Sequence, residues 1–233
     1  MSRTIIPFGP QHPVLPEPIH LQLVMDNETV VEALPKLGYV HRGLETLTTL
    51  RDYNQMIYIV ERVCGICSCI HALCFCRAIE HLMDVEVPRR AAYLRIIWSE
   101  LHRMHSHLLW LGLFADALGF ESLFMQFMQF WKIRERIMDI NEATAGNRVI
   151  ISTNIVGGVR KDLSREHQRW ILDEMDTLEA EMRRLEKVTM EDYTVKKRTV
   201  GIGVMTAQEA IQLGAAGPTL RGSGVAQDVR QTE

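Results

Sequence analysis

The hydrophobic pattern of the chain changes character after its first 43 residues, and the two sides predict different elements. Residues 19–23 alternate apolar and polar side chains with a period of two, which is typical of a β-strand. Residues 26–28 are polar turn formers, and Val30 and Val31 then begin a returning strand. The first section, residues 1–43, is therefore predicted to form a small antiparallel sheet.

Beyond that section, apolar residues recur at helical spacing. The first long helix is predicted to begin at Pro88, because proline suits the first position of a helix. A second helix is predicted over residues 122–142, and a third after the candidate N-cap Ser164. The apolar positions are Ile97, Leu101, Met104, Leu108 and Leu111 in the first of these helices, and Ile171, Met175, Leu178, Met182 and Leu185 in the third. Residues 145–161 are rich in glycine and β-branched residues and indicate a loop. Residues 44–213 are therefore predicted to form a bundle of long helices.

The end of the sequence follows neither pattern. Residues 214–233 contain four glycines and finish on polar residues, so we expect no closing helix there. We therefore expect a fold of the α+β class, mainly α, in which the 233 residues form a single, incomplete domain.

Composition excludes several classes of partner. Hydrophobic residues make up 47% and charged residues 24%, and the net charge is −3, so nothing favours nucleic acid or an anionic membrane surface. Thr4–Pro16, the longest stretch without a charge, is broken by prolines and is too short to span a membrane. We expect no secretory signal, because Arg3 precedes that broken segment directly. The sequence thus indicates a cytoplasmic protein that reaches a membrane only through other subunits.

The five cysteines lie within 13 residues of one another. A secreted disulfide framework would spread them along the chain, whereas clustering favours metal or redox chemistry. Cys64 and Cys67 are three apart with Gly65 between them, so two thiolates could grip one soft metal ion while the glycine lets the backbone bend. His71 shares a face with Cys67 if a helix begins there, as a ligand or as a hydrogen-bond donor to a thiolate.

The Cys-x-x-Cys spacing alone leaves other interpretations open. The two cysteines could be small buried residues, or two of four zinc ligands completed by Cys69, Cys74 or Cys76. A thioredoxin-like motif is disfavoured because no βαβ pattern surrounds it. We expect the last three cysteines to be structural, since a free cysteine behaves as a small buried hydrophobe.

Four motifs, in order along the chain, identify a resemblance. Residues 62–71, Arg-Val-Cys-Gly-Ile-Cys-Ser-Cys-Ile-His, resemble the first cysteine motif of nickel–iron hydrogenase large subunits. Residues 41–45, His-Arg-Gly-Leu-Glu, resemble the Arg-Gly-x-Glu element of that family. Residues 9–13 and 217–224 look like signatures shared with the related 49 kDa (D) subunit of complex I. Because the complex I subunit has lost the metal cysteines, the chain most resembles the membrane-bound, energy-converting group, of the Ech and carbon-monoxide-induced type.

The resemblance implies a role for each motif residue. Cys64 would be a terminal thiolate on nickel, and Cys67 would bridge nickel and an iron that carries diatomic ligands. His71 would hydrogen-bond the bridging sulfur, and Arg62 belongs to the same catalytic motif. Glu17, 47 residues before Cys64, corresponds in offset to the glutamate that passes protons to and from a nickel thiolate, although its surroundings depart from the usual Glu-Gly-His; the alternative is a solvated loop carboxylate.

Other residues carry weaker signals. The resemblance implies that Glu45 either binds magnesium or extends the proton path, and the alternative is an ion pair with Arg42 or Arg51. His102, His105 and His107 could suggest a metal cluster, but the third points away from the first two on a helix, so packing against a partner or a neighbouring helix is favoured. Met125 and Met128 are expected in the core or a subunit interface.

The implied reaction is the reversible reduction of two protons to hydrogen. Electrons would come from ferredoxin through iron–sulfur clusters of a small partner subunit, and the complex would include complex I-like hydrophilic subunits and a membrane arm. The family also needs a second Cys-x-x-Cys, which these 233 residues lack. We therefore expect either a fragment of a longer subunit, which is favoured, or a truncated gene product, and in both cases a chain that is inactive alone. A quinone-reactive complex I-like subunit and a zinc-binding structural protein are the rival interpretations.

Overall fold

The computed structural model describes residues 3–13, 15, 17–120, 124–228 and 231. The strands are β1 (Thr4–Phe8), β2 (His20–Asp26), β3 (Thr29–Lys36), β4 (Asn154–Ile155) and β5 (Gly158–Val159). The helices are α1 (Leu44–Thr48), α2 (Tyr53–Glu61), α3 (Ser68–Met83), α4 (Arg89–Ala117), a π-helix (Phe124–Trp131), α5 (Lys132–Ala145), α6 (Arg165–Glu191), α7 (Tyr193–Thr199), α8 (Ala207–Gln212) and α9 (Gly217–Gly222). The expected mainly helical α+β fold, with an antiparallel sheet first, is confirmed.

The amino-terminal sheet has the order β1-β2-β3 and is antiparallel throughout. The predicted strand, turn and returning strand are present as β2, a turn at residues 27–28, and β3. Every residue of β3 and most of β1 are exposed, and Val24 is the buried residue of β2. The sheet therefore contributes little to the hydrophobic core within the described residues.

Helix α4 is buried along a stripe that differs from the predicted one. Leu101 and Leu108 are buried as expected, but Met104 is only partly buried and its neighbour His105 is fully buried. The stripe also includes the polar residues Arg95, Ser99 and His102. The apolar pattern missed this face because polar side chains occupy core positions where other segments supply hydrogen-bond partners.

The helix expected over residues 122–142 is present in two parts, the π-helix and α5, and its first two residues lie outside the described ones. The π-helix presses Trp131 onto α4 at Gly112, where a Cβ atom would lie 2.3 Å from the indole nitrogen. The loop expected over residues 145–161 contains a hairpin of β4 and β5. In the third predicted helix, Ser164 accepts a hydrogen bond from the backbone N–H of His167, which confirms the N-cap.

The chain divides into two compact units, residues 1–185 and 186–233. The second unit contains α7, α8 and α9. The expectation of no closing helix after Gly214 is wrong, since the short helix α9 begins at Gly217, with Pro218 in its first turn, within the predicted glycine-rich end. In the portion of the chain that the structure describes, every helix is too short or too polar to cross a membrane.

Candidate metal-binding loop

The two motif cysteines lie on the loop that connects α2 to α3. The Asp52 side chain caps the start of α2 by accepting from the Gln55 N–H, and Arg62 ends that helix. Cys67 is the N-cap of α3, so its carbonyl accepts the backbone N–H of His71 at 3.3 Å. The two cysteines therefore bracket a short bend between the end of α2 and the start of α3.

The two thiols lie close together and are half-buried. Burial, the thiol of Cys64 and the carboxylate of Glu17 together raise the pKa of Cys67 to about 12. Glu17 is exposed on the segment between β1 and β2, yet it lies near enough to act on this sulfur. The fold thus brings together three of the residues that the resemblance singled out.

The second predicted motif contacts the first through an arginine. Arg42 donates from Nη2 to the backbone carbonyl of Val63 at 3.0 Å, which ties the start of α1 to the residue before Cys64. Glu45 lies exposed on α1, and among the described contacts none joins it to Arg42, to Arg51 or to either motif cysteine. Its role as a magnesium ligand stays a prediction.

The remaining motif residues take up different positions. Arg62 donates to the carbonyl of Tyr58 and to Oε2 of Glu61 at 2.8 Å, and its side chain is about half exposed. His71 is partly buried in α3, four residues after Cys67. Neither position by itself assigns a chemical role.

The other cysteines differ from one another. Cys69 and Cys76 are buried, which agrees with a structural role, and burial raises the pKa of both thiols. Cys69 is near hydroxyl and amide groups, with Asn154 donating to its sulfur at 3.4 Å. Cys74 is exposed on α3 and so is not the small buried hydrophobe that was expected.

The sequence did not single out Glu61, which is completely buried directly before the motif. Its Oε2 accepts from Arg62 and from the Ser152 hydroxyl at 2.6 Å, whereas its Oε1 has no hydrogen-bond partner among the described residues. Burial raises the pKa of Glu61, and Ser152, Arg62 and Arg160 offset this only in part. The sequence feature that could have identified Glu61 is its position, one helical turn after Ile57 on the buried face of α2.

A second buried carboxylate, Glu80, is satisfied on both oxygens. Arg95 binds it through two nitrogens at 2.5 and 2.9 Å, and the Gly157 N–H donates to it at 2.7 Å. Arg95 also donates to the carbonyls of Ile155 and Gly158. Although burial raises the pKa of Glu80, these donors hold it below its usual range. The cluster clamps α3, α4 and the β4–β5 hairpin together near the end of α3.

The donor atoms at the loop suit half of a thiolate metal centre. Two neighbouring thiolates favour a soft metal, and the carboxylate of Glu17 acts electrostatically on the second of them. Across the part of the chain that the structure describes, no cluster of three or more His, Cys, Asp or Glu residues could hold a metal ion. The loop therefore offers two thiolate donors to a soft metal ion.

Comparison with known proteins agrees with these observations. A family model described as nickel-dependent hydrogenase matches residues 42–115, which include the loop. A model described as the 49 Kd subunit of respiratory-chain NADH dehydrogenase matches residues 119–233. The two models together match most of the chain.

Individual relatives extend over nearly its whole length. Membrane-bound hydrogenase subunit alpha of Pyrococcus furiosus is 42% identical over 228 residues, covering 98% of this chain and 53% of that protein. Carbon monoxide-induced hydrogenase of Rhodospirillum rubrum is 39% identical over 232 residues, covering 99% of this chain and 63% of that protein.

A solved structure confirms the fold. The membrane-bound sulfane sulfur reductase, an archaeal respiratory membrane complex, contains a chain that matches all of this one with a TM-score of 0.93 and 31% identity, and 61% of that chain is covered. The present chain thus spans more than half but less than two thirds of each of these proteins. Motifs, fold and comparisons agree that the chain belongs to the family that unites the large subunits of nickel–iron hydrogenases with the 49 kDa subunit of respiratory NADH dehydrogenase.

Proposed function

We propose that this chain is part of the large subunit of an energy-converting nickel–iron hydrogenase, which interconverts protons and hydrogen. The observation that supports this most directly is the pair of adjacent thiols at Cys64 and Cys67, with the carboxylate of Glu17 acting on the second. The matched hydrogenase family and the hydrogenases among its relatives point the same way.

The loop residues would each have a defined task at such a centre. Cys64 and Cys67 would hold the nickel–iron centre through their thiolates. When bound, the centre supplies the redox change that joins two electrons and two protons as hydrogen. Glu17 would carry the proton between the sulfur and solvent, because it is both near Cys67 and exposed. His71 would donate to the Cys67 sulfur, and its position one turn further along α3 permits this.

The wider assembly belongs to the same proposal. Electrons would arrive from ferredoxin through iron–sulfur clusters of a small partner subunit, with complex I-like hydrophilic subunits and a membrane arm completing the complex. The chain would then be peripheral on the cytoplasmic face of the membrane. Its match to a subunit of an archaeal respiratory membrane complex and its similarity to a membrane-bound hydrogenase subunit support this placement.

The rival function is that of a quinone-reactive subunit without nickel, which the match of residues 119–233 to the 49 kDa subunit favours. The complex that contains this chain can be purified from its host and analysed for nickel, for infrared bands of iron-bound carbon monoxide and cyanide, and for hydrogen turnover. We expect nickel in equal amount to the chain, both sets of bands, and turnover. A complex that reduces quinone or sulfane sulfur and contains no nickel would overturn the proposal.

Variants then separate the proposed tasks. Cys64→Ser and Cys67→Ser should each remove nickel, because a hydroxyl is a poor ligand for a soft metal. Glu17→Gln should keep the nickel and the infrared bands and abolish turnover, because an amide cannot carry the proton. Retained turnover in Glu17→Gln would remove Glu17 from the proton path without affecting the assignment of the cysteines.

A further inference from the structure

A short segment that leads into the β4–β5 hairpin contacts both ends of the motif loop. Within residues 152–154, the side chains of Ser152 and Asn154 reach back across 91 and 85 positions of sequence to α2 and α3. The segment lies outside residues 42–115, which the hydrogenase family model matches. The tasks proposed above leave both side chains without a role.

The first contact holds the end of α2. The Ser152 hydroxyl donates to Oε2 of Glu61 at 2.6 Å, and Glu61 is the last residue of α2, three positions before Cys64. Ser152 has a φ of +46°, in the left-handed region that residues other than glycine rarely adopt. Such a backbone conformation persists only where surrounding contacts fix it, and the hydrogen bond to a completely buried carboxylate is one of these contacts.

The second contact holds the first turn of α3. The Asn154 amide donates from Nδ2 to the backbone carbonyl of Cys69 at 3.1 Å, and the same nitrogen lies 3.4 Å from the sulfur of that residue. Cys69 follows Cys67, the N-cap of α3, by two positions. Asn154 and Cys69 are each 1% exposed, so water does not compete for this hydrogen bond.

The segment that carries these two side chains is itself anchored. The backbone N–H of Arg160, directly after β5, donates to the Thr153 carbonyl at 2.9 Å. The guanidinium carbon of Arg160 also lies 4.8 Å from the centroid of the Tyr58 ring in α2. At the turn of the hairpin, the Gly157 N–H donates to Glu80 of α3 at 2.7 Å. The two side chains therefore project from a segment that is held on both sides.

We propose that Ser152 and Asn154 are positioning residues for the thiol pair. They hold the end of α2 and the start of α3 at a fixed separation, and Cys64 and Cys67 lie between those two helix ends. A metal ion needs both sulfurs at a defined distance from each other, so fixing the helix ends reduces the entropy that is lost on binding. The role at a nickel–iron centre rests on the proposed function, whereas the effect on the thiol pair concerns this chain alone.

The test uses Cd²⁺ as a soft-metal probe of the thiol pair in the 233-residue chain, with binding followed by thiolate charge-transfer absorption. Ser152→Gly suits the positive φ but removes the hydroxyl, and Asn154→Leu keeps a similar volume but removes the donor. We expect each variant to bind Cd²⁺ roughly tenfold more weakly than the wild type. The double variant Cys64→Ser/Cys67→Ser identifies the part of the signal that comes from the loop.

Two further variants separate the hydrogen bond from charge and from general stability. Glu61→Gln keeps an acceptor for the Ser152 hydroxyl and should bind Cd²⁺ within about twofold of the wild type. Thr144→Val is the matched control, because the buried Thr144 hydroxyl bonds to Trp98 and to the Ile140 carbonyl rather than to the loop. It should lower the free energy of unfolding in urea while leaving the Cd²⁺ affinity unchanged.

Hydrogen exchange of peptides covering residues 61–69 gives a second reading that needs no metal. Exchange there should be faster in Ser152→Gly and in Asn154→Leu, because each variant releases one helix end, and unchanged in Thr144→Val. Ser152→Ala should resemble Ser152→Gly, since it also lacks the hydroxyl but does not add the conformational freedom of glycine. Should Asn154→Leu fail to fold, the two Ser152 variants carry the test.

Two results would overturn the proposal. One is unchanged Cd²⁺ affinity and unchanged exchange of residues 61–69 in the folded variants at positions 152 and 154. The other is a Thr144→Val variant that binds Cd²⁺ as weakly as Ser152→Gly, which would show that general loss of stability is the cause. Both differ from failure of the proposed function, which is the absence of nickel from the assembled complex.

Discussion

Two buried glutamates, one directly before the motif loop and the other near the end of α3, have opposite environments. Glu80 receives bonds from Arg95 and the Gly157 N–H, which use both oxygens. Glu61 receives bonds from Arg62 and Ser152 on one oxygen, while the other is buried without a partner among the residues that the structure describes. The pKa of Glu80 is accordingly lowered and that of Glu61 raised.

This difference in hydrogen bonding distinguishes a glutamate that holds helices and a hairpin together from one that adjoins the motif loop. A buried carboxylate whose hydrogen bonds are complete resists any change, because breaking one bond leaves a charge without compensation. A buried carboxylate with one unpaired oxygen loses the hydration of that oxygen and gains no hydrogen bond in its place. The satisfied carboxylate lies where three elements must stay fixed, and the unsatisfied one lies next to the residues that carry the proposed chemistry.

Removing the arginine of the satisfied cluster should have the largest effect. Arg95→Met leaves Glu80 buried and charged and frees two carbonyls, so we expect the free energy of unfolding to fall by about 3–5 kcal/mol. Urea unfolding followed by circular dichroism measures this. Arg90→Met is the matched control, because Arg90 binds Asp162 through two nitrogens on the exposed surface of the same helix. Equal losses in the two variants would show that burial is not what distinguishes the clusters.

The buried histidines extend the comparison to groups that the fold keeps neutral. The pKa values of His102 and His105 are lowered, so below the usual pKa of 6.5 the unfolded chain binds protons that the folded chain does not. The contribution of these histidines to the free energy of unfolding is therefore fully present above about pH 6.5. It is lost as the pH falls toward the pKa of the folded state, by up to about 1.4 kcal/mol per pH unit for each histidine.

Unfolding curves of the wild type and of a variant without the two histidines, taken between about pH 7 and pH 5, measure this slope as a difference, because Glu61, whose raised pKa adds a slope of opposite sign, is common to both. The double variant His102→Gln/His105→Gln should flatten it, because neither amide takes up a proton. A wild-type slope that matches the double variant would mean that neither histidine is held neutral.

Replacing either glutamate by glutamine should have the smallest effects on the free energy of unfolding, and the two replacements should differ in how that effect depends on pH. Glu80→Gln weakens charge-assisted bonds to Arg95 and should cost about 1–3 kcal/mol at pH 7. Glu61→Gln should change stability by less than about 1 kcal/mol, because it removes a poorly solvated charge. Since the pKa of Glu61 is raised in the folded state, its contribution is present below the usual 4.5 and is lost as the pH rises through the folded pKa.

The free energy of unfolding of the Glu61→Gln variant, relative to that of the wild type, should thus be higher at about pH 7 than at about pH 4.5. Parallel unfolding curves of the two proteins at these pH values check the trend, with Arg62, Arg160 and Ser152 left in place around the site. A larger loss in Glu61→Gln than in Glu80→Gln would reverse the comparison.

The local parts of this protein could be predicted from the sequence. Alternation over residues 19–23 predicted β2, the spacing from Ile171 to Leu185 predicted the buried face of α6, and Ser164 predicted its start. The motif Cys64-Gly65-Ile66-Cys67 likewise predicted a loop with two thiols, because all its members are neighbours in sequence. Such features depend on spacing along the chain, which the sequence states directly.

The hydrogen bonds between buried polar side chains could not be predicted in this way. Glu61 meets Ser152 across 91 positions, Ser68 meets His102 across 34, and Arg134 meets His105 across 29. A polar residue can occupy the core only when a distant segment brings it a hydrogen-bond partner, and no period or motif records that partner. The sequence by itself determined which loop carries the thiols, and only the tertiary structure decided which buried groups surround it and which of their atoms remain unpaired within the described residues.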